Sequence, residues 1–343
     1  MRIFYKKGIL YELVLLPLIF VSVLFKYLVI IRRQLYRHSI LKAYKPSAFT
    51  ISVGNITLGG TGKTPIVIHI CHILKGKRIA VISRGYRSHG KGVRIVSDEH
   101  RLLCDPEVCG DEPFLIARAI PDAIVAVGKK RVDVIKTIEA QYKPDVIILD
   151  DGFSHLKVKR DIDIILIDGE KGMGNGHVLP AGPLREPVRA IRYADLIGIK
   201  GNGSSIEHLI KRYHAKENIF HFSYRFNRIK TMDQDEDIDI DLIKNKRIIG
   251  MAGIGFPDSF FALLNSIGLK PVTCISKSDH AKYTTGWLDK IIKQYKPDAI
   301  IVTAKDAVKI RQLERTLNVM WLYVDIAIED NGQLSSLLAN KVK

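Results

Sequence analysis

The stretch TISVGNITLGGTGKTP, from Thr50 to Pro65, constrains this chain more than any other. Its first residues read as a buried strand, Gly59, Gly60, Thr61 and Gly62 as a tight turn, and Lys63-Thr64-Pro65 as the first turn of a helix. Glycines there let backbone N–H groups converge on one point, and the helix N-terminus adds partial positive charge to it. Lys63 supplies a point charge for outer phosphates, and Thr64 a hydroxyl suited to Mg²⁺. The strict phosphate-loop pattern carries Gly where Thr57 stands, and a glycine-rich turn before an ordinary helix is the plainer alternative. Gly-Lys-Thr directly after an apolar strand favours the phosphate loop, and with it phosphoryl chemistry.

A chain of 343 residues has room for a second domain around or beyond such a loop. Lys and Arg number 53 against 36 Asp and Glu, a net charge of +17, which suits an anionic partner: nucleic acid, a lipid surface or a phosphorylated substrate. Zinc-knuckle, RNP-like and helix-turn-helix signatures are missing, so no nucleic-acid partner is expected. Cys71, Cys104, Cys109 and Cys274 show no CxxC spacing, which argues against a zinc site and for a reducing compartment.

Residues 8 to 31 form the most apolar window. The uncharged run from Leu13 to Phe25 is bracketed by Glu12 and Lys26. It falls short of the ~20 residues a bilayer span requires. With Lys26 snorkelling, a single span and an interfacial helix both stay open, beside the plainer reading of a buried helix. Arg32, Arg33, Arg37, Lys42 and Lys45 outnumber Arg2, Lys6 and Lys7, which puts the rest of the chain on the cytoplasmic side of an inner membrane. Residues 1–38 are thus expected to be a membrane-associated helix.

Downstream, apolar strands at 78–83, 93–96, 123–127, 146–149, 161–168 and 194–200 alternate with helical stretches. That alternation predicts an α/β fold like that of phosphate-loop NTPases, a mostly parallel sheet with helices on both faces over 39–217. A second α/β unit starts near Lys246, with strands at 247–252, 300–303 and 319–324, so a smaller domain is expected over 218–343. The strand at 146–149 is tipped by Asp150-Asp151-Gly152; paired acids there can be plain turn chemistry, but beside a phosphate loop they suit a Mg²⁺ contact. At Gly110-Asp111-Glu112-Pro113 the residues alone favour Asp111 as a helix cap and Glu112 as a first-turn acid, with a proton-accepting role as the second option. Ser278-Asp279-His280 offers a His beside an Asp that could tune such an acceptor.

Taken together, GGTGKTP at 59–65, SRGY at 83–86, GDEP at 110–113, DDGF at 150–153, LPAGPLREP at 179–187 and DAVK at 306–309 resemble the tetraacyldisaccharide 4′-kinase family. The motifs follow the family's order from the N-terminal apolar helix to about residue 310. The resemblance implies transfer of the γ-phosphate of ATP to the 4′-hydroxyl of a tetraacyldisaccharide 1-phosphate, giving lipid IVA on the route to lipid A of lipopolysaccharide. It implies Asp111 as catalytic base paired with His280, and Gly62, Lys63 and Thr64 as the ATP loop. Asp150 and Asp151 correspond to the acid pair near Mg²⁺. Glu112, Arg185 and Glu186 correspond to residues that hold metal, nucleotide or transition state. Cofactors are then ATP and Mg²⁺, and no protein partner is expected. The chain departs from the family pattern at Cys109, Ser154, Phe256 and Ala304. Two rivals stand beside this reading: a phosphate-loop switch or chaperone, fed by a faint base-recognition pattern at Thr303-Ala304-Lys305-Asp306, and a membrane-bound nucleotide sensor.

Overall fold

The computed structural model describes residues 9–85, 92–214, 218–279, 281–313, 319–339 and 341–342, with the backbone alone for 9–15 and 205. Along the first two-thirds run α1 (Ile9–Arg37), β1 (Phe49–Gly54), α2 (Lys63–Ile73), β2 (Ile79–Ser83), β3 (Arg94–Asp98), α3 (Pro106–Cys109), α4 (Asp111–Ala119) and β4 (Ile124–Val127). They continue as α5 (Arg131–Tyr142), β5 (Val146–Asp150), β6 (Ile162–Asp168), β7 (Leu196–Lys200) and α6 (Ser204–Lys211). The last third holds β8 (Ile219–Thr231), β9 (Asp237–Ile238), β10 (Ile248–Ala252), α7 (Pro257–Ser266) and β11 (Thr273–Ser276). It ends with α8 (Thr285–Tyr295), β12 (Ala299–Thr303), α9 (Ala304–Ile310), β13 (Met320–Glu329) and α10 (Gln333–Ala339).

Strand β1 lies between β5 and β6, parallel to both, with Ile51 opposite Ile148 and Ile162. Its central position follows from composition: apolar runs with little alternation are buried on both faces. Ile51 and Val53 point into a core with Ile66 and Ile70 of α2 and Ile116 of α4. On the other face, Ile82, Ile147 and Leu149 pack against Ile135 and Ile138 of α5. Each such fully buried side chain contributes about 1.5–3 kcal/mol relative to exposure, so the loop that β1 carries stands on a rigid platform. The expected mostly parallel α/β sheet is therefore present; among the described pairs, β3–β4, β8–β9 and β8–β13 are antiparallel.

The expected boundary near 218 falls on a strand that belongs to both halves. All these strands form one sheet in the order β11-β10-β12-β13-β8-β7-β6-β1-β5-β2-β4-β3, with β9 beside β8. The 13-residue β8 pairs with β7 through Ile219 to Phe222 and with β13 through Ser223 to Thr231. Leu334 and Leu338 of α10 then return to the core of the first half. Two bodies of core exist, but one continuous sheet joins them.

Among the described residues, no helix is long and apolar enough to cross a membrane. Helix α1 instead lies along the body. Ser22 and Arg33 are buried on one side of it, and the Ser22 hydroxyl donates to Val178 O at 2.7 Å. The opposite side exposes large apolar groups, among them Phe20 at 77%, Leu24 and Leu28 at 57% and Ile31 at 54%.

Candidate active site

The loop between β1 and α2 is shaped by its glycines. Gly59 and Gly62 have φ of 110° and 86°, in the region L side chains avoid. A Cβ on Gly62 would lie 2.3 Å from the Tyr224 hydroxyl oxygen. The missing first Gly has no cost here, because Thr57 sits where the chain pairs with the Pro183–Arg185 segment: Leu58 N–H donates to Pro183 O and Arg185 N–H to Ile56 O, both at 2.7 Å. The rigid turn at 179–187 thus buttresses the phosphate loop. Lys63 reaches the tip of β5, 3.6 Å from Asp151 Oδ1, and donates to Asn55 Oδ1 at 3.3 Å.

At that tip the two acids have different surroundings. Asp150 is buried, receives a hydrogen bond from the Ser83 hydroxyl at 3.2 Å, and keeps Oδ1 without a hydrogen-bond partner. Burial, then the charges of Glu112 and Asp151, push its carboxyl up to about 6, against the pull of Lys63 and Arg131. Burial alone would raise Asp151 as well, but Lys63 and Arg185 outweigh it and hold that carboxyl below its usual range. Arg185 Nη1 donates to both Asp151 oxygens, at 3.1 and 2.8 Å, so this arginine orders the acid pair. Arg131, at the start of α5, donates from behind to the Asp150 and Asp151 carbonyls at 2.6 and 2.8 Å.

Gly110, with φ of 98°, occupies the cap position of α4, and Asp111 and Glu112 are its first residues. Capping, the role the bare residues favoured for Asp111, belongs to the residue before it. Both acids meet lysines from α9: Glu112 Oε1 lies 2.9 Å from Lys305 Nζ, and Asp111 Oδ2 lies 3.7 Å from Lys309 Nζ. Lys305 also contacts Asp279 Oδ1 at 3.2 Å. Burial works against the Lys305 ammonium, but Glu112 and Asp279 outweigh it and raise its pKa. His280, the expected partner of Asp111, lies outside the described residues, as does Tyr86 of the second motif.

Glu186 lines the cleft and also ties α1 to it. Its carboxylate is buried and takes a forked ion pair from Arg33 of α1, with Nη2 at 2.6 and 2.7 Å and Nε at 3.0 Å, plus the Ser154 hydroxyl at 2.7 Å. Both oxygens are engaged in fastening α1, a structural role that stands beside the metal- or nucleotide-holding one the resemblance implies. Ser154, a departure from the family pattern, is part of the same fastening. Asp306 likewise has no face for a nucleobase: it is 0% exposed and accepts from Gly253 N–H, the Tyr283 hydroxyl and the Thr303 hydroxyl. The base-recognition rival loses its motif there.

Among the described residues no group of three or more His, Cys, Asp or Glu side chains is placed to hold a metal. The fit to Mg²⁺ is of another kind, since this ion keeps its waters and phosphates and takes one or two protein oxygens. A buried carboxylate oxygen without a partner on Asp150, and the Thr64 hydroxyl at the start of α2, are hard donors of that sort. Around them opens a cleft of about 3000 Å³, lined by the phosphate loop, Asp111, Glu112, Arg185, Lys305 and Lys309, and by Phe25, Leu28, Val29 and Arg32 of α1.

The profile of a family described as tetraacyldisaccharide-1-P 4′-kinase matches residues 13–343. The tetraacyldisaccharide 4′-kinase of Syntrophus aciditrophicus (strain SB) is 34% identical over 342 residues, covering 94% of this chain and 91% of the relative. That of Desulfotalea psychrophila (strain LSv54 / DSM 12343) is 38% identical over 292 residues, covering 82% and 83%. A crystal structure of LpxK from Aquifex aeolicus, described as an apo form in complex with ATP, matches with a TM-score of 0.76 at 30% identity, covering 96% of this chain and 98% of that one. Similarity running through nearly the whole sequence and the whole fold admits one conclusion: this chain belongs to the tetraacyldisaccharide 4′-kinase family.

Proposed function

We propose that the cleft transfers the γ-phosphate of ATP to the 4′-hydroxyl of a tetraacyldisaccharide 1-phosphate, the lipid A step of this family, at a membrane surface. The observation that carries this reading is the continuity of the cleft, from the phosphate loop past Asp111 to the apolar residues of α1. Its volume exceeds the roughly 300–1,000 Å³ of a small-ligand pocket, as a nucleotide and a lipid head group together require. The exposed apolar side of α1 sits in the interfacial region of the inner leaflet, with the rest of the chain cytoplasmic and the acyl chains remaining in the bilayer. His155 lines the same cleft, and burial, then Arg131, Arg160 and Arg32, push it down to about 4, so it faces the substrate as a neutral imidazole.

Within this reading the loop N–H groups and Lys63 hold the ATP phosphates, and Asp111, helped by His280, accepts the proton of the 4′-hydroxyl as its oxygen attacks the γ-phosphorus and the bond to the bridging oxygen breaks, releasing ADP. Thr64 and Asp150 would hold Mg²⁺, which when bound neutralises charge on the outer phosphates. Arg185 keeps Asp151 and Lys63 in register. The test is to incubate purified protein with MgATP and a disaccharide 1-phosphate lipid and follow product mass. Asp111→Ala should lower kcat by about 10²–10⁴-fold, the typical weight of a general base, with ATP affinity little changed. ATP hydrolysis that proceeds at full rate without lipid would favour the switch instead.

A further inference from the structure

We propose that Lys309 is a positioning residue that fixes Asp111 from the second body of the fold. This rests on the reading of Asp111 as the base. Lys305 and Lys309 are one turn apart on α9, so their ammonium groups leave the same face and meet the two consecutive acids that open α4. They are not equivalent. Lys305 makes hydrogen bonds to Glu112 and Asp279, at a side-chain exposure of 16%. Lys309 is 10% exposed, and its Nζ is buried without a hydrogen-bond partner, held 3.7 Å from Asp111 Oδ2 and 3.5 Å from Asp306 Oδ1.

A buried ammonium is costly unless carboxylates surround it, and these two come from different bodies. Asp306 is the immobile one. Gly253 N–H at 2.8 Å and the Thr303 hydroxyl at 2.7 Å donate to Oδ2, and the Tyr283 hydroxyl at 3.1 Å donates to Oδ1. Asp111 is the first residue of its helix, behind a glycine with φ of 98°. Lys309 therefore carries the position of a rigid buried anchor across the junction to the carboxylate that must meet the sugar hydroxyl. Its two carboxylate neighbours, Asp111 and Asp306, lie outside the phosphate loop and the Asp150–Asp151 pair, so its loss should leave nucleotide binding largely alone.

The experiment measures kcat, KM for ATP and for the disaccharide lipid, ATP affinity and melting temperature in wild type, Lys309→Met, Lys309→Arg, Asp111→Asn and the Asp111→Asn/Lys309→Met double variant. A misplacement of about 1 Å is worth roughly 10²-fold in rate, so Lys309→Met should lower kcat by ~10–100-fold with both KM values within about threefold. Lys309→Arg, which keeps the charge on a wider fork, should fall between, roughly 3–10-fold below wild type. In the Asp111→Asn background Lys309→Met should add less than about twofold, because the group it positions is gone. Wild-type kcat in Lys309→Met, or an equal loss in the Asp111→Asn background, overturns the proposal. If Lys309→Met does not fold, Lys309→Arg decides: reduced kcat at unchanged KM supports it, wild-type kcat overturns it. Wild-type turnover in Asp111→Asn alone sinks the base reading, a separate failure.

Discussion

Breaking the Arg33–Glu186 pair should release α1 while leaving the rest of the molecule folded. The side chains are 9% and 5% exposed, and Arg33 also lies over the rings of Phe153 and Tyr193, at 4.5 and 5.1 Å from their centroids. Removing one partner of a buried pair costs about 3–5 kcal/mol, because the survivor stays buried and uncompensated. At 1.4 kcal/mol per decade, that is an increase of about 10²–10³·⁵-fold in the population with α1 detached, well before global unfolding is reached. The assay is amide hydrogen exchange over residues 22–37, with β1 and β5 amides as the internal reference. Arg33→Met should speed exchange in α1 by at least ~100-fold and leave the reference within about threefold. Glu186→Gln should cost less, since an amide oxygen still accepts from the guanidinium. The double variant should recover a coupling of at least ~2 kcal/mol. Coupling below ~0.5 kcal/mol would refute the fastening argument. So would a Glu186→Gln enzyme that needs tenfold more Mg²⁺ for half-maximal rate while α1 stays protected.

Two further outcomes follow from the loop and the acid pair. The Asp150 carboxyl is raised to about 6, so the stability its neutral form gives is complete below the unfolded value of 3.8 and is lost as pH rises through 6. Asp150→Asn should therefore stabilise the protein by on the order of 1–3 kcal/mol at pH 8 and by nothing at pH 3.5, while losing turnover; denaturation at both pH values checks it. Gly62→Ala forces a side chain to φ of 86° and against Tyr224, a cost of at least about 1–2 kcal/mol from the backbone alone. ATP affinity should drop about tenfold or more, with part of it restored by Tyr224→Phe; a titration showing wild-type affinity would remove the phosphate-loop assignment.

What could be read in advance was whatever is encoded in one short segment. The phosphate loop and the acids tipping β5 are each a strand followed by its turn, so residue type and spacing suffice. The role of Asp111 was not local, because one position separates a cap from a first helical residue, and only the backbone of Gly110 decides between them. The Arg33–Glu186 pairing could not be read, since its two residues are 153 apart and one lies on a helix that reads as a membrane element. Strand β8 exposes Ser223, Arg225 and Asn227 on one side, which alternation can show, but its edges, which join two bodies, leave no mark in hydropathy.

That junction bears on how the site works. Asp111 and Glu112 come from the first body and Lys305 and Lys309 from the second, so the set exists only where α4 meets α9. Further links cross at the far end of α4, where Arg118 and Arg311 both pair with Asp235, and on the opposite rim, where the Lys171 ammonium lies over the Phe256 ring. Two domains on a flexible linker could lose and regain all of these at once. Here β8 is hydrogen-bonded to β7 at one end and β13 at the other, and α10 packs back on the first core. Full separation would have to strip α10 from the first core, whereas bending of β8 between Phe222 and Ser223, where it changes partner, breaks no ladder bond. Any movement about that joint acts on the acid–lysine set and on the Lys171–Phe256 contact alike, because each has one partner in either body.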